Sequence, residues 1–202
     1  SINNKEMKLN KYWDLLHVSQ EDDMDNEIFK KQFLSLLEDA TKIRLRSDAD
    51  YGAFLSGGLD STSVVGFMQK IIGNGIKAYG IGFADPKYDE TYYAKLAAEK
   101  FNLNFFTKRA EPNISHLWPR FIYHCDQPHG DVSFMPMDIL SRIASRDVKM
   151  VLTGDGGDEL FAGYTKHKNF FFNNIYNPNS DDLMMIMASV GLAQNFGALR
   201  SL

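Results

Sequence analysis

Runs of apolar residues change their spacing along the chain, and this change predicts where helices and strands lie. Over residues 28–45 apolar side chains recur every three or four positions, as on one face of a helix. Strands are expected at 51–55, 76–83, 103–107 and 148–152, and further helices at 64–72, 88–101, 113–125, 135–147 and after 159. This alternation predicts an α/β fold: a doubly wound, mainly parallel sheet of about four to five strands with helices on both faces.

Composition and charge exclude several classes of protein. Apolar residues make up 44% of the 202 residues, enough for a buried core, and the net charge of −4 argues against a general nucleic-acid binder. The longest apolar run, 183–193, is too short to span a membrane, and the first residues lack the pattern of a signal peptide. One cysteine, Cys125, excludes an internal disulfide framework. We therefore expect a soluble, cytoplasmic protein with neither nucleic-acid nor membrane partners.

The first predicted strand ends in a loop rich in glycine and hydroxyl groups, which we call the first loop: Leu55-Ser56-Gly57-Gly58-Leu59-Asp60-Ser61-Thr62. Adjacent glycines expose backbone N–H groups, and the next helix points its positive end at the same place, so the loop predicts a phosphate cradle. It has neither the Gly-Lys-Ser/Thr ending of a Walker loop nor a Gly-x-Gly-x-x-Gly pattern. Asp60 fits this cradle if it holds Mg²⁺ against the phosphates. The alternative is an Asp or Ser cap on an ordinary strand–helix turn.

The last predicted strand ends in an acidic loop, the second loop: Thr153-Gly154-Asp155-Gly156-Gly157-Asp158-Glu159. Carboxylates this dense repel each other unless a cation or a hydrogen-bond donor lies among them. The loop has no His or Cys ligands for zinc and no EF-hand spacing, so an oxygen-rich site for a hard divalent cation fits; the alternative is an acidic surface turn. Ligands of doubly wound sheets bind beyond the carboxyl ends of the strands. We expect both loops to share one phosphate and metal site.

The residues of both loops carry a family resemblance. Residues 56–61 resemble the pyrophosphate loop of the N-type ATP pyrophosphatases, and residues 153–164 resemble the second hallmark of their asparagine synthetase branch. Residues 88–94 and 126–136 also match stretches typical of that branch, so the resemblance covers about 20–165. It implies an adenine-nucleotide alpha-hydrolase-like, or PP-loop, fold. It also implies three regions: a lead-in or linker over 1–22, the ATP pyrophosphatase (synthetase) domain over 23–175, and the start of an incomplete C-terminal helical part over 176–202.

The resemblance also implies a reaction. Synthetase domains of this family use ATP and Mg²⁺ to adenylate the side-chain carboxylate of aspartate, and ammonia then displaces AMP to give asparagine. We expect a ligase of the glutamine-hydrolysing asparagine synthase type whose ammonia comes from glutamine through a glutaminase domain absent here. The chain is expected to be truncated and inactive alone. Two alternatives stay open: the same chemistry on another acceptor, as in β-lactam synthetases or surface-polymer amidotransferases, and an ATP–Mg²⁺-binding fragment without turnover. A homodimer is also left open.

Site residues follow from the resemblance by motif match. The expected ATP contacts are Leu55, Ser56, Gly57, Gly58, Asp60, Ser61, Ile81, Thr153 and Gly154. Asp60 and Asp158 are the expected Mg²⁺ ligands, one from each loop. Asp155 and Asp158 are the catalytic candidates, and Asp155 is expected to orient aspartate or the incoming ammonia. The family's catalytic lysine belongs to the C-terminal helical part, and Lys166 and Lys168 follow the second hallmark too closely to replace it. Cys125 is expected to be an unreactive thiol.

Overall fold

The computed structural model describes residues 2–3, 6–7, 9–12, 25–110, 115–128, 130, 133–161, 163–165 and 167. The chain forms two compact units, Ser1–Leu37 and Glu38–Leu202. In the first unit, strands β1 (Ile2–Asn3) and β2 (Glu6–Met7) pair antiparallel. Helix α1 (Asn26–Arg44) begins in this unit and ends in the second, close to the bounds that its apolar spacing predicts. Among the described residues no helix has both the length and the hydropathy that crossing a bilayer requires.

The second unit alternates strands and helices as the apolar pattern predicts. Its strands are β3 (Tyr51–Phe54), β4 (Lys77–Gly82), β5 (Asn104–Arg109) and β6 (Met150–Leu152). Its helices are α2 (Leu59–Ile72), α3 (Thr91–Lys100), α4 (Trp118–His124), α5 (Phe134–Ala144) and α6 (Gly157–Phe161), with a 3₁₀ turn at Ser115–Leu117. Asn102, two residues after the end of α3, has a left-handed φ of 51°, a conformation that commonly follows a helix C-terminus. The helical part predicted over 176–202 lies outside the described residues.

Among the described residues of this unit, four strands form one parallel sheet in the order β5-β4-β3-β6. Ala53 in β3 lies opposite Ala78 in β4 and Leu152 in β6. From β3 the chain runs outward through β4 and β5, and then returns to the other side of β3 to form β6. The topological switch point of the sheet therefore lies between β3 and β6, where ligands of doubly wound folds bind. The predicted parallel sheet is confirmed, with four strands in the part of the chain that the structure describes.

Helices cover both faces of the sheet, as predicted. Because successive strand side chains point to opposite faces, Ala53 and Leu55 join one buried cluster, with Val65 and Met68 of α2 and the buried alanines of α3. Phe54 points the other way, into a cluster with Tyr79 of β4 and the α5 residues Leu140 and Ala144. The two clusters hold β3 from both sides. The carboxyl end of β3, which carries the first loop, is thus anchored in a packed core.

Candidate functional site

The two glycine-rich loops meet at one edge of the sheet. They follow β3 and β6, which are parallel neighbours, and they approach backbone to backbone. A methyl group at Gly154 would lie 2.6 Å from the Ser61 backbone nitrogen, and one at Gly157 would overlap the Asp60 carboxyl group. Residues without a side chain are needed for this approach. The prediction that the loops come together is confirmed, while their shared use of phosphate and metal stays a prediction.

Hydrogen bonds within the first loop shape it around the start of α2. The hydroxyl oxygens of Ser56 and Ser61 lie 3.0 Å apart, and Gly58 N–H donates to Ser56 Oγ at 3.1 Å. Gly58 is the N-cap of α2 and supplies no side-chain hydrogen bond to it. The first turn of a helix carries N–H groups without intrahelical partners, and these are an anion-binding feature. Because Gly58 occupies the N-cap position, Asp60 is not the helix cap that the alternative interpretation requires.

Gly57 has a different role from the rest of the first loop. Its φ of +93° is one that side-chain-bearing residues rarely adopt, and a methyl group there would overlap the Ala94 backbone nitrogen and lie 2.7 Å from Tyr93 Cβ. Gly57 thus lets the loop pack against α3. It does not line the cavity described below, and its assignment as an ATP contact stays a prediction.

A cavity of about 640 Å³ lies over the carboxyl ends of the strands. Apart from Gly57, every residue that the motifs assign to the site lines it: Leu55, Ser56, Gly58, Asp60, Ser61, Ile81, Thr153, Gly154, Asp155 and Asp158. The same cavity is lined by further residues that the motif match does not assign to the site: Phe54, Leu59, Phe83, Tyr88, Glu90, Met137, Leu140, Gly157, Phe161 and Gly163. One concave space therefore joins both loops to the end of β4 and to α5.

The cavity has walls of two kinds. The polar wall consists of the two loops. The apolar wall consists of Phe54, Ile81, Met137 and Leu140, which pack in one cluster on the α5 face of the sheet, together with Phe83 just beyond β4. An apolar space beside a few polar groups is typical of small-molecule sites. Its size and two-sided chemistry fit a molecule with a flat apolar part and an anionic part.

The backbone of Ile81 extends past the end of the neighbouring strand. Leu55 N–H donates to Tyr79 C=O at 2.9 Å, and the pairing of β3 with β4 ends there. On the other side of β4, Gly82 C=O accepts from Ala110 N–H at 2.8 Å. Because backbone groups of a parallel strand alternate between its two neighbours, the N–H and C=O of Ile81 face the space beyond β3. An adjacent donor and acceptor there can bind the edge of a heteroaromatic ring.

Carboxylates dominate the charge of the cavity. Asp60, Glu90, Asp155 and Asp158 line it, whereas no Lys, Arg or His of the described residues does. Burial, and then the negative charges of Asp158 and Glu159, raises the pKa of Asp60 above its ordinary value. Within the described part of the chain neither Asp60 nor Asp158 forms an ion pair. A cation between these two carboxylates would relieve their repulsion.

The donor set fits Mg²⁺ when phosphate is present. Mg²⁺ is commonly held by one or two carboxylates, with phosphate oxygens and waters completing its six ligands. The described residues contain no group of three or more His, Cys, Asp or Glu side chains placed to hold a metal. Asp60 and Asp158 alone would leave such an ion open to phosphate oxygens. The pair therefore fits a metal that arrives with a nucleotide.

Hydrogen bonds hold the acidic side chains of the second loop in place. Thr153 Oγ1 donates to Asp155 Oδ2 at 2.8 Å, and Tyr164 Oη donates to Glu159 Oε1 at 2.6 Å. Gly163 N–H donates to Asp158 C=O at 3.0 Å, and a methyl group at Gly163 would overlap the Asp158 carboxyl group. Asp155 is exposed and Asp158 is half-buried. The two catalytic candidates thus offer carboxylates at different depths of one cavity.

Other residues singled out in the sequence lie elsewhere. Cys125 follows α4, is half-buried and does not line the cavity. Lys166 and Lys168 lie outside the described residues. Phe83, Tyr88 and Glu90 were not assigned to the site, although they follow a strand end, where ligands of such sheets bind, and although Tyr88 and Glu90 lie in the family-like stretch 88–94. No local signal marks Met137 and Leu140, because their place in the cavity depends on how α5 crosses the sheet.

Comparison with solved structures finds similar chains at low similarity. An ammonia-dependent NAD synthetase from Campylobacter jejuni aligns with a TM-score of 0.43 and 17% identity, over 70% of this chain and 61% of that one. An NMN synthetase from Francisella tularensis aligns with a TM-score of 0.44 and 18% identity, over 70% and 59%. At TM-scores below 0.5 these likenesses carry no argument about this chain.

Curated relatives are more similar in sequence. The chain is 38% identical to "Putative asparagine synthetase 2 (glutamine-hydrolyzing)" of Methanocaldococcus jannaschii, over 83% of this chain and 32% of the relative. It is 30% identical to asparagine synthetase 1 (glutamine-hydrolyzing) of Bacillus subtilis, over 68% of this chain and 22% of the relative. It is 29% identical to the amidase chyE of Penicillium rubens, over 76% of this chain and 25% of the relative. The chain thus matches between about a fifth and a third of the length of these relatives.

The family comparison covers most of the chain. The profile of the family described as asparagine synthase matches residues 32–198. This range contains both glycine-rich loops and the strands and helices that carry them. It also contains every residue that the motifs assign to the cavity. On this match the chain belongs to the asparagine synthase family.

Proposed function

We propose that this chain forms the ATP-binding part of an amidating ligase that adenylates the side-chain carboxylate of aspartate. The single observation that carries the proposal is the joining of the two loops in one cavity, with the Asp60 carboxylate against Gly157 of the second loop. A site with this polar wall binds a polyphosphate, and the apolar wall beside it accepts a nucleobase. Ammonia, derived from glutamine, then converts the activated acid to its amide.

The polar wall is where the phosphates would bind. The amides at the start of α2 and the hydroxyls of Ser56 and Ser61 are donors for the β- and γ-phosphate oxygens. In the first step a carboxylate oxygen of aspartate attacks the α-phosphorus, the bond to the β-phosphate oxygen breaks, and pyrophosphate leaves. In the second step ammonia attacks the activated carbonyl carbon, and AMP leaves with the bonding electron pair. The chain contributes positioning and charge stabilisation to both steps.

Asp60 and Asp158 would hold Mg²⁺ at the junction of the loops. The ion would supply positive charge that offsets the phosphates and the growing charge on pyrophosphate. Burial, and then the charges of Asp158 and Glu159, raises the pKa of Asp60, and a cation bound there would offset the repulsion between these carboxylates. Asp155 lies at the exposed side of the second loop, held by Thr153. We assign it the orientation of aspartate or of ammonia.

The apolar wall is where adenine would bind. Ile81 offers a backbone donor and acceptor past the end of β3, and Phe54, Met137 and Leu140 surround the same space. Adenine presents a donor, its amino group, beside an acceptor nitrogen on one edge. This pairing supports placing the base beside Leu55 and Ile81, two of the expected ATP contacts, and we assign Thr153 and Gly154 to the ribose or α-phosphate.

Pyrophosphate release tests the proposal. The protein as its gene encodes it is incubated with ATP, Mg²⁺ and ammonia, and aspartate is added or replaced by other carboxylic acids. We expect aspartate to stimulate release and to yield asparagine and AMP. If another acid stimulates release while aspartate does not, the acceptor assignment is wrong and the alternative of a different acceptor holds. If ATP and Mg²⁺ bind but no acid stimulates release, the alternative of a binding fragment without turnover holds.

A further inference from the structure

The turn between β4 and α3 lies outside both loops and builds part of the cavity. This turn, residues 83–90, contributes Phe83, Tyr88 and Glu90 to the lining. It begins two residues beyond Ile81, so it continues the apolar wall. Tyr88 is 60% exposed, which places its ring at the mouth of the cavity rather than in the core. Side chains this exposed depend on the backbone of the turn for their position.

Asp89 anchors this turn. Its Oδ1 accepts hydrogen bonds from Thr91 N–H at 3.1 Å and from the Thr91 hydroxyl at 2.7 Å. The Asp89–Thr91 pair lies against Gly82, the last residue of β4: a methyl group there would be 3.1 Å from Thr91 Cγ2 and 3.4 Å from Asp89 Oδ1. Asp89 therefore joins the end of the turn to the first residue of α3 and to the end of the strand.

The ionisation of Asp89 agrees with this geometry. Hydrogen bonds from the Thr91 side chain, then from the Thr91 and Phe83 backbones, hold the pKa of Asp89 below its ordinary value, and the charge of Arg109 acts in the same direction. At the α3 end of the turn this carboxylate accepts both hydrogen bonds from Thr91, and at the strand end it lies beside Gly82. Asp89 itself does not line the cavity.

From these contacts we infer that Asp89 is a positioning residue for the nucleoside part of the substrate, acting through Phe83, Tyr88 and Glu90. The inference rests on the proposed function, since it takes the ligand to be an adenine nucleotide. The polar wall is built by the contact of the two loops at Gly154 and Gly157, and Gly57 of its first loop meets α3 at Tyr93 and Ala94, beyond the Asp89–Thr91 pair. Loss of Asp89 should therefore weaken binding of the nucleoside and spare binding of the phosphates.

Binding of two partial ligands to the full 202-residue chain tests this separation. Isothermal titration calorimetry with Mg²⁺ present measures AMP and inorganic pyrophosphate separately. We expect Asp89→Ala to weaken AMP about 5- to 20-fold, the usual effect of losing hydrogen bonds to a charged group, and to change pyrophosphate less than about twofold. Asp89→Asn retains the Oδ1 acceptor and should restore most of the AMP affinity.

Two further variants separate positioning from general order in the turn. Asp85 lies in the same turn, and its side chain accepts a local hydrogen bond from Lys87 N–H at 2.9 Å. We expect Asp85→Ala to bind both ligands like the unmodified chain. Thr91→Val removes the hydroxyl donor while keeping side-chain size, and it should weaken AMP about threefold, consistent with one lost hydrogen bond.

The outcomes assign failure to one proposal or the other. If the unmodified chain binds neither AMP nor Mg²⁺-pyrophosphate, the proposed function falls and this inference falls with it. If it binds both, and Asp89→Ala binds AMP equally well or loses both ligands to the same degree, Asp89 is not a positioning residue while the proposed function stands. An effect of Asp85→Ala equal to that of Asp89→Ala also overturns the inference.

Discussion

The polar and apolar walls of the cavity are built in different ways. The polar wall comes from two short stretches of sequence, and its geometry depends on glycines that let the loops and α3 come within contact distance: Gly57, Gly154 and Gly157. The apolar wall collects side chains from β3, β4, the turn after it and α5. Changes in the polar wall should therefore act abruptly through overlap and charge, whereas changes in the apolar wall should act gradually through contact area. The following predictions test that difference.

The largest effect is expected where the first loop meets α3. Gly57→Ala combines a φ of +93° with overlap on the Ala94 backbone nitrogen, so we expect a loss of about 3–4 kcal/mol in the free energy of unfolding. Gly73→Ala is the matched control, because Gly73 has φ +85° but no atom within 4 Å of the added methyl group. It should cost about 1–2 kcal/mol. Chemical denaturation measures both, and equal losses would contradict the account of Gly57.

The next effect concerns the metal. Asp158→Asn should weaken binding of ATP in the presence of Mg²⁺ by about 10- to 100-fold, because a neutral amide replaces a charged ligand. The exposed Asp48→Asn is the control and should leave affinity unchanged. Titration calorimetry with and without Mg²⁺ checks this prediction. Similar losses in the two variants, or a loss that persists without Mg²⁺, would remove Asp158 from the metal site.

A smaller effect is expected from crowding Asp60. Gly157→Ala places a methyl group on the Asp60 carboxyl group, which can rotate away at little cost to folding. The displaced carboxylate should then reduce Mg²⁺-dependent ATP binding about tenfold, less than removal of a ligand. Gly156→Ala adds its methyl group where no atom lies within 4 Å and strains only the backbone, at φ +93°. It should lower stability and leave the affinity close to that of the unmodified chain.

Shortening one side chain of the apolar wall should weaken the binding of AMP moderately and leave the binding of pyrophosphate unchanged. Met137→Ala removes contact area from the space assigned to adenine, and we expect AMP binding to fall about three- to tenfold, the equivalent of one or two buried methylenes. Mg²⁺-pyrophosphate binding should not change. Met135→Ala, on the same helix but outside the cavity lining, is the control. Loss of pyrophosphate binding in Met137→Ala would show that the two walls are not independent.

The smallest effect is a gain in stability. The raised pKa of Asp60, caused by burial and then by Asp158 and Glu159, means that the folded chain binds its proton more tightly than the unfolded chain. The ionised carboxylate therefore costs stability at neutral pH. Asp60→Asn should raise the melting temperature of the metal-free chain at pH 7 by about 1–3 °C. The gain should vanish as the pH falls below 3.8, the unfolded value, and its persistence there would contradict an electrostatic origin.

The sequence predicted local features better than long-range ones. Apolar spacing located α1 and the four strands of the sheet, because burial on one face or both sets those patterns directly. The loops could be recognised because their glycines, hydroxyls and carboxylates are contiguous. The order β5-β4-β3-β6 could not be derived from spacing, since it depends on which edge each crossover returns to. For the same reason the contributions of Met137 and Tyr88 to the cavity were not predicted.

Gly57 illustrates a further limit of motif matching. Its place between Ser56 and Gly58 suggests a phosphate contact, which stays a prediction, and its missing side chain also accommodates Tyr93 and Ala94 of α3. The motif indicates that glycine is required there without indicating which neighbour requires it. The division of the chain into a linker, a synthetase domain and a C-terminal helical part remains a prediction for a similar reason, because it came from the resemblance.

A double-mutant cycle on Asp60 and Asp158 tests the central claim, that the two loops hold one magnesium ion against a triphosphate. ATP binding with Mg²⁺ is measured for the unmodified chain, Asp60→Asn, Asp158→Asn and the double variant. If both carboxylates bind the same ion, the double variant should bind within about threefold of the weaker single variant, a strongly non-additive result. Losses that multiply, as for independent sites, or affinities that do not depend on Mg²⁺ would contradict the account.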